Sequence, residues 1–102
     1  MIILGIDPGS LNAGYAVIDV DGRNMKYLAS GVLVFDKKIE LINRLGKIYL
    51  CAEKLIREFA PDEIALESLI YVKSVPALAK LSQARGAVIA AFAQTHINKI
   101  FE

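Results

Sequence analysis

Cysteine is almost missing from this chain: Cys51 stands alone, so no intramolecular disulfide can form and no cysteine-rich metal site exists. A reducing compartment, the cytoplasm, is the expectation that follows. Long apolar runs are missing too. The longest uninterrupted one, Ala87 to Ala93, is far short of the roughly 18 to 20 residues a membrane span needs, and no cationic segment precedes the apolar start as an export signal requires. No membrane partner is expected. Charge of one sign is not in excess either, since 12 Lys+Arg face 11 Asp+Glu, and total charge therefore argues for no class of partner. There is no internal repeat, low-complexity tract or linker, and 102 residues hold one domain, residues 1–102, with a single modest core. One long stretch lacks acids: after Glu67 the next is Glu102, while Lys73, Lys80, Arg85 and Lys99 lie between. Such a segment can face phosphates, or be an ordinary solvated surface.

Apolar residues, in contrast, are plentiful. At 55 % of the chain and a mean hydropathy of +0.44 they exceed what a small soluble domain needs, so a face meant to be covered is expected to lie open.

The periodicity predicts an α/β domain. Residues 2 to 7 read as a strand buried on both faces, and a turn over Gly9 to Asn12 leads into a second strand, Ala13 to Val20. Asp21-Gly22 signals a reversal into a third, Met25 to Phe35, giving an antiparallel meander. From Lys38 to Phe59 the period becomes helical, with Ile42, Leu45, Tyr49, Ala52, Leu55, Ile56 and Phe59 as the apolar stripe, and Ala60-Pro61-Asp62 stops the helix. Glu63 to Glu67 is then a short strand. A helix of this length makes a crossover, so that strand returns beside the first in parallel. Ser68 to Val75 reads as a loop, Pro76 suits the first turn of a second helix running to about His96, and Lys99 to Glu102 begins another strand. The second helix is rich in small residues (Ala77, Ala79, Ala84, Gly86, Ala87, Ala90, Ala91, Ala93), which permit close packing.

Two carboxylates then occupy like positions. Asp7 closes Ile2-Ile3-Leu4-Gly5-Ile6 at the turn Pro8-Gly9-Ser10, and Glu67 closes Glu63-Ile64-Ala65-Leu66. Parallel pairing puts both at one sheet end, with Asp62 and Glu63 at the other, on the order of 13 Å away by strand rise. Paired acids at adjacent strand ends are what metal-dependent phosphodiester hydrolysis needs, although an Asp-Pro-Gly-Ser turn with a merely solvated acid is also common. His96 reads as a helix-end or surface residue, Cys51 as a small packed side chain, and Tyr15, Tyr27 and Tyr49 as core or sheet residues.

The element order resembles the ribonuclease H-like nucleases, and the local sequence resembles their RuvC-type Holliday-junction resolvases. The matching segments are Ile2-Ile3-Leu4-Gly5-Ile6-Asp7-Pro8-Gly9-Ser10, Gly14-Tyr15, Tyr27-Leu28-Ala29-Ser30-Gly31, Pro61-Asp62 leading to Ala65-Leu66-Glu67, and Lys80-Leu81-Ser82-Gln83-Ala84-Arg85-Gly86. Gln83-Ala84-Arg85-Gly86, at its distance after Glu67, is more specific than the Asp-Pro-Gly turn. The resemblance implies a ribonuclease H-like mixed sheet, three antiparallel strands followed by helix, strand and helix, here C-terminally truncated. It implies Asp7 and Glu67 as catalytic metal ligands for Mg²⁺ or Mn²⁺, and a loop from Ser68 to Ser74 that meets the junction centre. Ser10, Ile70, Tyr71, Lys73, Ser74, Lys80, Gln83 and Arg85 would contact DNA. Family members are homodimers that nick opposed strands of a four-way junction and work with a branch-migration helicase complex. The alanine-rich helix is the candidate dimer contact.

This chain departs from the family pattern at three places. Ser68 stands where Gln usually follows the glutamate, and Ile70 and Ser74 stand where a Phe and an Asn are usual, with Tyr71 beside them as an aromatic for base stacking. The third is length. The family carries two further aspartates on a C-terminal helix that this sequence does not contain, and such a helix would cover one sheet face. With two acids in place of four the anchor for metal loses half its negative charge, so the chain by itself is expected to be a poor nuclease. A noncatalytic junction-binding or dimerisation module of the same fold stays open. Asp7-x-Gly9-Ser10 followed by Gly14 also resembles the first phosphate-binding turn of actin-like ATPases. That fold needs two lobes, leaves Gln83 to Gly86 unexplained, and predicts stabilisation by ATP.

Overall fold

The computed structural model describes residues 1–69 and 74–102. Seven elements follow in the order β1 (Ile2–Asp7), β2 (Asn12–Asp21), β3 (Asn24–Val34), α1 (Leu41–Phe59), β4 (Glu63–Leu66), α2 (Val75–Ala93) and β5 (Ile100–Phe101). They build one mixed sheet of order β3-β2-β1-β4-β5. β1, β2 and β3 pair antiparallel, whereas β4 lies parallel to β1 and β5 parallel to β4. The meander, the crossover helix and the parallel return are those expected from the periodicity, and the short final strand forms within Lys99 to Glu102.

Strand alternation sorts the side chains. Leu4 and Ile6 of β1, Ala13 and Val17 of β2, and Ile64 and Leu66 of β4 are buried beneath Ile48, Ala52 and Leu55 of α1 and Ala84, Val88, Ala91 and Phe92 of α2. Both helices therefore cover the same sheet face and pack on each other. The small residues of α2 supply part of that contact, which accounts for Ala84 and Ala91 being sealed in the core.

The helix α1 starts later and faces differently than its apolar pattern suggests. An Asx turn, in which the Asp36 carboxylate accepts from Lys38 N–H at 2.9 Å, holds residues 36–39 out of the helix until Glu40 takes the cap position. Ile42, expected in the apolar stripe, is 75 % exposed, and Ile48, not assigned to it, is 1 % exposed. At 3.6 residues per turn Ile42 lies about 120° round the helix from Ile48, at the margin of the buried face. Arg44 is instead drawn inward, its Nη1 donating to the Ile39 carbonyl at 2.9 Å. α1 ends as expected: Ala60 adopts the left-handed conformation with φ 45°, and its N–H returns to the Ile56 carbonyl at 2.8 Å.

Asp62 then pins β4 to the start of β1. Its N–H donates to the Ile2 carbonyl at 2.8 Å, and its carboxylate accepts from the Ile2 N–H at 2.7 Å. α2 opens with Ser74, whose hydroxyl accepts from Ala77 N–H at 3.3 Å, and with Pro76 in the first turn. It ends at Ala93, short of His96. There the His96 N–H returns to the Phe92 carbonyl at 2.9 Å, and the His96 ring ties this helix end to the end of α1: Nε2–H donates to the Pro61 carbonyl at 2.8 Å, which leaves Nδ1 to accept from the Thr95 hydroxyl at 2.7 Å. The helix-end role read for His96 is thus the one it has.

The apolar surplus is visible on the surface. Met25, Tyr27, Val32 and Val34 on the edge strand β3, and Val75 and Leu78 on α2, are exposed, and no described helix covers the sheet face opposite α1 and α2. Ile48→Ala should cost about 2 to 5 kcal/mol of unfolding free energy and Ile42→Ala less than about 0.5 kcal/mol, read from urea denaturation of the two variants.

Candidate active site

The site begins with a turn that only glycine fits. A Cβ built on Gly9 would lie 2.2 Å from the Asn12 carbonyl oxygen, so the chain between β1 and β2 closes tightly because that atom is missing. This fixes Asp7, paired with Gly14, at the last position of β1. On the other side Ile6 pairs with Leu66, and Glu67 N–H donates to the Ile6 carbonyl at 3.0 Å. Glu67 thus continues β4 beside Asp7 at the ordinary strand spacing of about 4.8 Å.

Both acids are solvent-exposed while their neighbours Ile6 and Leu66 are buried. They open onto two concave regions. One is a cavity of about 190 Å³ at the strand ends, lined by Asp7, Pro8, Glu67, Ser68 and Leu69 together with Leu81 and Arg85 of α2. The other is a shallow groove on the uncovered sheet face, floored by Gly5, Gly14, Ala16 and Ala65 and ended by the same two carboxylates. Small residues at these paired positions keep the floor low enough for a bulky group to approach the acids.

Among the described residues neither carboxylate has an ion-pair or hydrogen-bond partner, and no third acid, histidine or cysteine joins them. Two like charges on adjacent strands repel, and a divalent cation relieves that repulsion. The donor set suits a hard cation such as Mg²⁺, which is commonly held by one or two carboxylates and keeps much of its water shell.

The remaining residues expected to contact DNA fall into four groups. Arg85 reaches the carboxylate cavity from α2, its side chain 14 % exposed. Lys80 and Gln83 share that helix but lie on its exposed surface, away from the cavity lining. Ser10 is half-buried in the turn after Asp7, and Ser74 caps α2. Ile70, Tyr71 and Lys73 lie outside the described residues. One residue escaped the sequence analysis: Glu102, whose carboxylate pairs with Arg85 Nη2. Nothing in the sequence marks it, because the two meet only once β5 is laid beside β4.

Gly9→Ala should lower stability by about 1 to 3 kcal/mol, the range for forcing an atom into an occupied space, when denaturation midpoints are compared with the unaltered chain.

The sequence model of a family described as crossover junction endodeoxyribonuclease RuvC matches residues 3–102. A curated RuvC of Aliivibrio fischeri is 46 % identical over 90 residues, covering 88 % of this chain and 51 % of the relative. A RuvC of Pasteurella multocida is 44 % identical over 101 residues, covering 99 % of this chain and 52 % of the relative. The chain thus spans about half the length of the curated relatives it matches. The fold is similar to that of Thermus thermophilus RuvC solved in complex with a Holliday junction substrate, with a TM-score of 0.82 and 24 % identity over 92 % of this chain and 59 % of that one.

Proposed function

The chain belongs to the RuvC family of crossover junction endodeoxyribonucleases, and on that premise we propose that it forms the N-terminal portion of a structure-selective nuclease acting on four-way junction DNA. The observation that supports this most is the meeting of Asp7 and Glu67 at adjacent strand ends, with Arg85 in the wall of the same cavity. Acids and a cation at one opening can serve the two parts of phosphodiester hydrolysis, holding a metal and receiving a phosphate.

Asp7 and Glu67 are the proposed metal ligands, for Mg²⁺ or alternatively Mn²⁺. When bound, the ion would supply an activated water and neutralise charge developing on the phosphate. The groove floored by Gly5, Gly14, Ala16 and Ala65 gives the substrate a path to the acids, and the rigid strands hold them in register. Lys73, Lys80 and Arg85 are the proposed phosphate contacts. Ser10, Ser74 and Gln83 would donate to the backbone, and Ile70 and Tyr71 would meet the junction centre. A cytoplasmic site of action and cooperation with a branch-migration helicase complex belong to the same proposal. No helix among the described residues is long and apolar enough to cross a membrane.

A second reading, a noncatalytic junction-binding module, is favoured by the lack of a third acid among the described residues. One experiment separates the two. A labelled four-way junction and a duplex of the same sequence are incubated with the chain in Mg²⁺ and in Mn²⁺, beside Asp7→Asn. Preferential binding of the junction with slow nicking that disappears in Asp7→Asn is expected. Junction binding with no nicking at all in either metal supports the module, and equal affinity for junction and duplex overturns both readings.

The exposed face of α2 is the proposed dimer contact. Val75 and Leu78 lie on it, and Ala79, Gly86 and Ala90 allow a second backbone to come close. A Cβ on Gly86 would meet nothing within 4 Å inside the chain, so Gly86→Arg should spare the fold. It should shift a concentration-dependent dimer to monomer in analytical ultracentrifugation.

A further inference from the structure

The Arg85 guanidinium, permanently charged, lines the same cavity as two carboxylates that have no partner among the described residues, and it pairs with neither. Its Nη2 is held by Glu102, and its Nε is buried with no acceptor, so Glu102 is the only polar anchor of this side chain among the described residues. The anchor comes from another element. Arg85 stands on α2, whereas Glu102 follows β5, which is placed by parallel pairing of Ile64 with Ile100 and Ala65 with Phe101. Without that counter-charge, the nearest compensation for the guanidinium within the cavity would be Asp7 and Glu67. A monovalent cation seated on them would neutralise part of the charge a divalent ion needs and fill the space it must enter.

We infer that Glu102 is a positioning residue: it holds the Arg85 guanidinium at the cavity wall, away from Asp7 and Glu67, and so keeps the carboxylate pair open to a divalent cation. This rests on the proposed metal role of the two acids. It adds that the charge on Arg85 is balanced by a residue outside the site, which leaves the site with a net negative charge while the guanidinium remains beside it for an incoming phosphate.

The test is a Mn²⁺ titration followed by broadening of backbone amide resonances around Asp7 and Glu67, which reports weak binding without requiring catalysis. Glu102→Gln should weaken the apparent affinity on the order of tenfold. Arg85→Gln should leave it equal or tighter, and the double variant should return to the Arg85→Gln value. A staple that merely joins α2 to β5 would give losses of the same sign in both single variants. Where Glu102→Gln loses spectral dispersion, Glu102→Asp carries the test, with a smaller loss that Arg85→Gln again reverses. Unchanged affinity in Glu102→Gln, or a double variant as weak as Glu102→Gln, overturns the inference while the metal site stands, provided broadening is lost in Asp7→Asn. No broadening near Asp7 in the unaltered chain overturns the metal site and this inference together.

Discussion

Much of this structure depends on the parallel pairing of β1 with β4, four residue pairs from Ile3 with Glu63 to Ile6 with Leu66. Parallel neighbours cannot be joined by a turn, so the pairing requires α1 as a crossover, and the crossover commits α1 to one sheet face. The same register brings Glu67 beside Asp7. A shift by one residue would turn Leu66 outward and Glu67 into the core, at the cost of burying an unpaired charge. Asp62 guards against that slip at the far end by bracketing Ile2 with two hydrogen bonds.

Folding and function therefore draw on the same alternation of residues. Leu4, Ile6, Ile64 and Leu66 anchor the strands under the helices, and that anchoring frees the intervening positions to be small or acidic. Gly5, Gly14, Ala16 and Ala65 contribute little to the core. Their value lies in what they leave vacant, a low floor leading to two carboxylates. The exposed apolar residues of β3 and α2 add to this picture: the described elements leave more apolar surface open than they bury against one another at these positions.

Electrostatics orders the site at longer range. Asp7 and Glu67 are left uncompensated by the described residues, and Arg85, the described cation lining their cavity, is tied to Glu102. A site that retains uncompensated charge is less stable than one that neutralises itself, and it is the kind of site that binds an external cation. The fold tolerates it because both acids lie at strand ends in contact with water, where the dielectric penalty is small.

The amino-acid sequence by itself determined the order and type of the elements, the crossover, the acids at two strand ends and the family, because each of these is written in local period, turn chemistry or motif. Ala60-Pro61-Asp62 could end α1 without reference to anything distant, and Gly9 could mark a tight turn. Only the tertiary structure decided that Ile48 and not Ile42 is buried in α1, that Arg85 lines the cavity of the acids while Lys80 and Gln83 stay on the surface, and that Glu102 holds Arg85. The reason is common to all three. A helical period defines a face but not its angle to the sheet, and residues that meet through a parallel strand pairing leave no trace in sequence spacing, since their contact exists only after the long connection between them has closed.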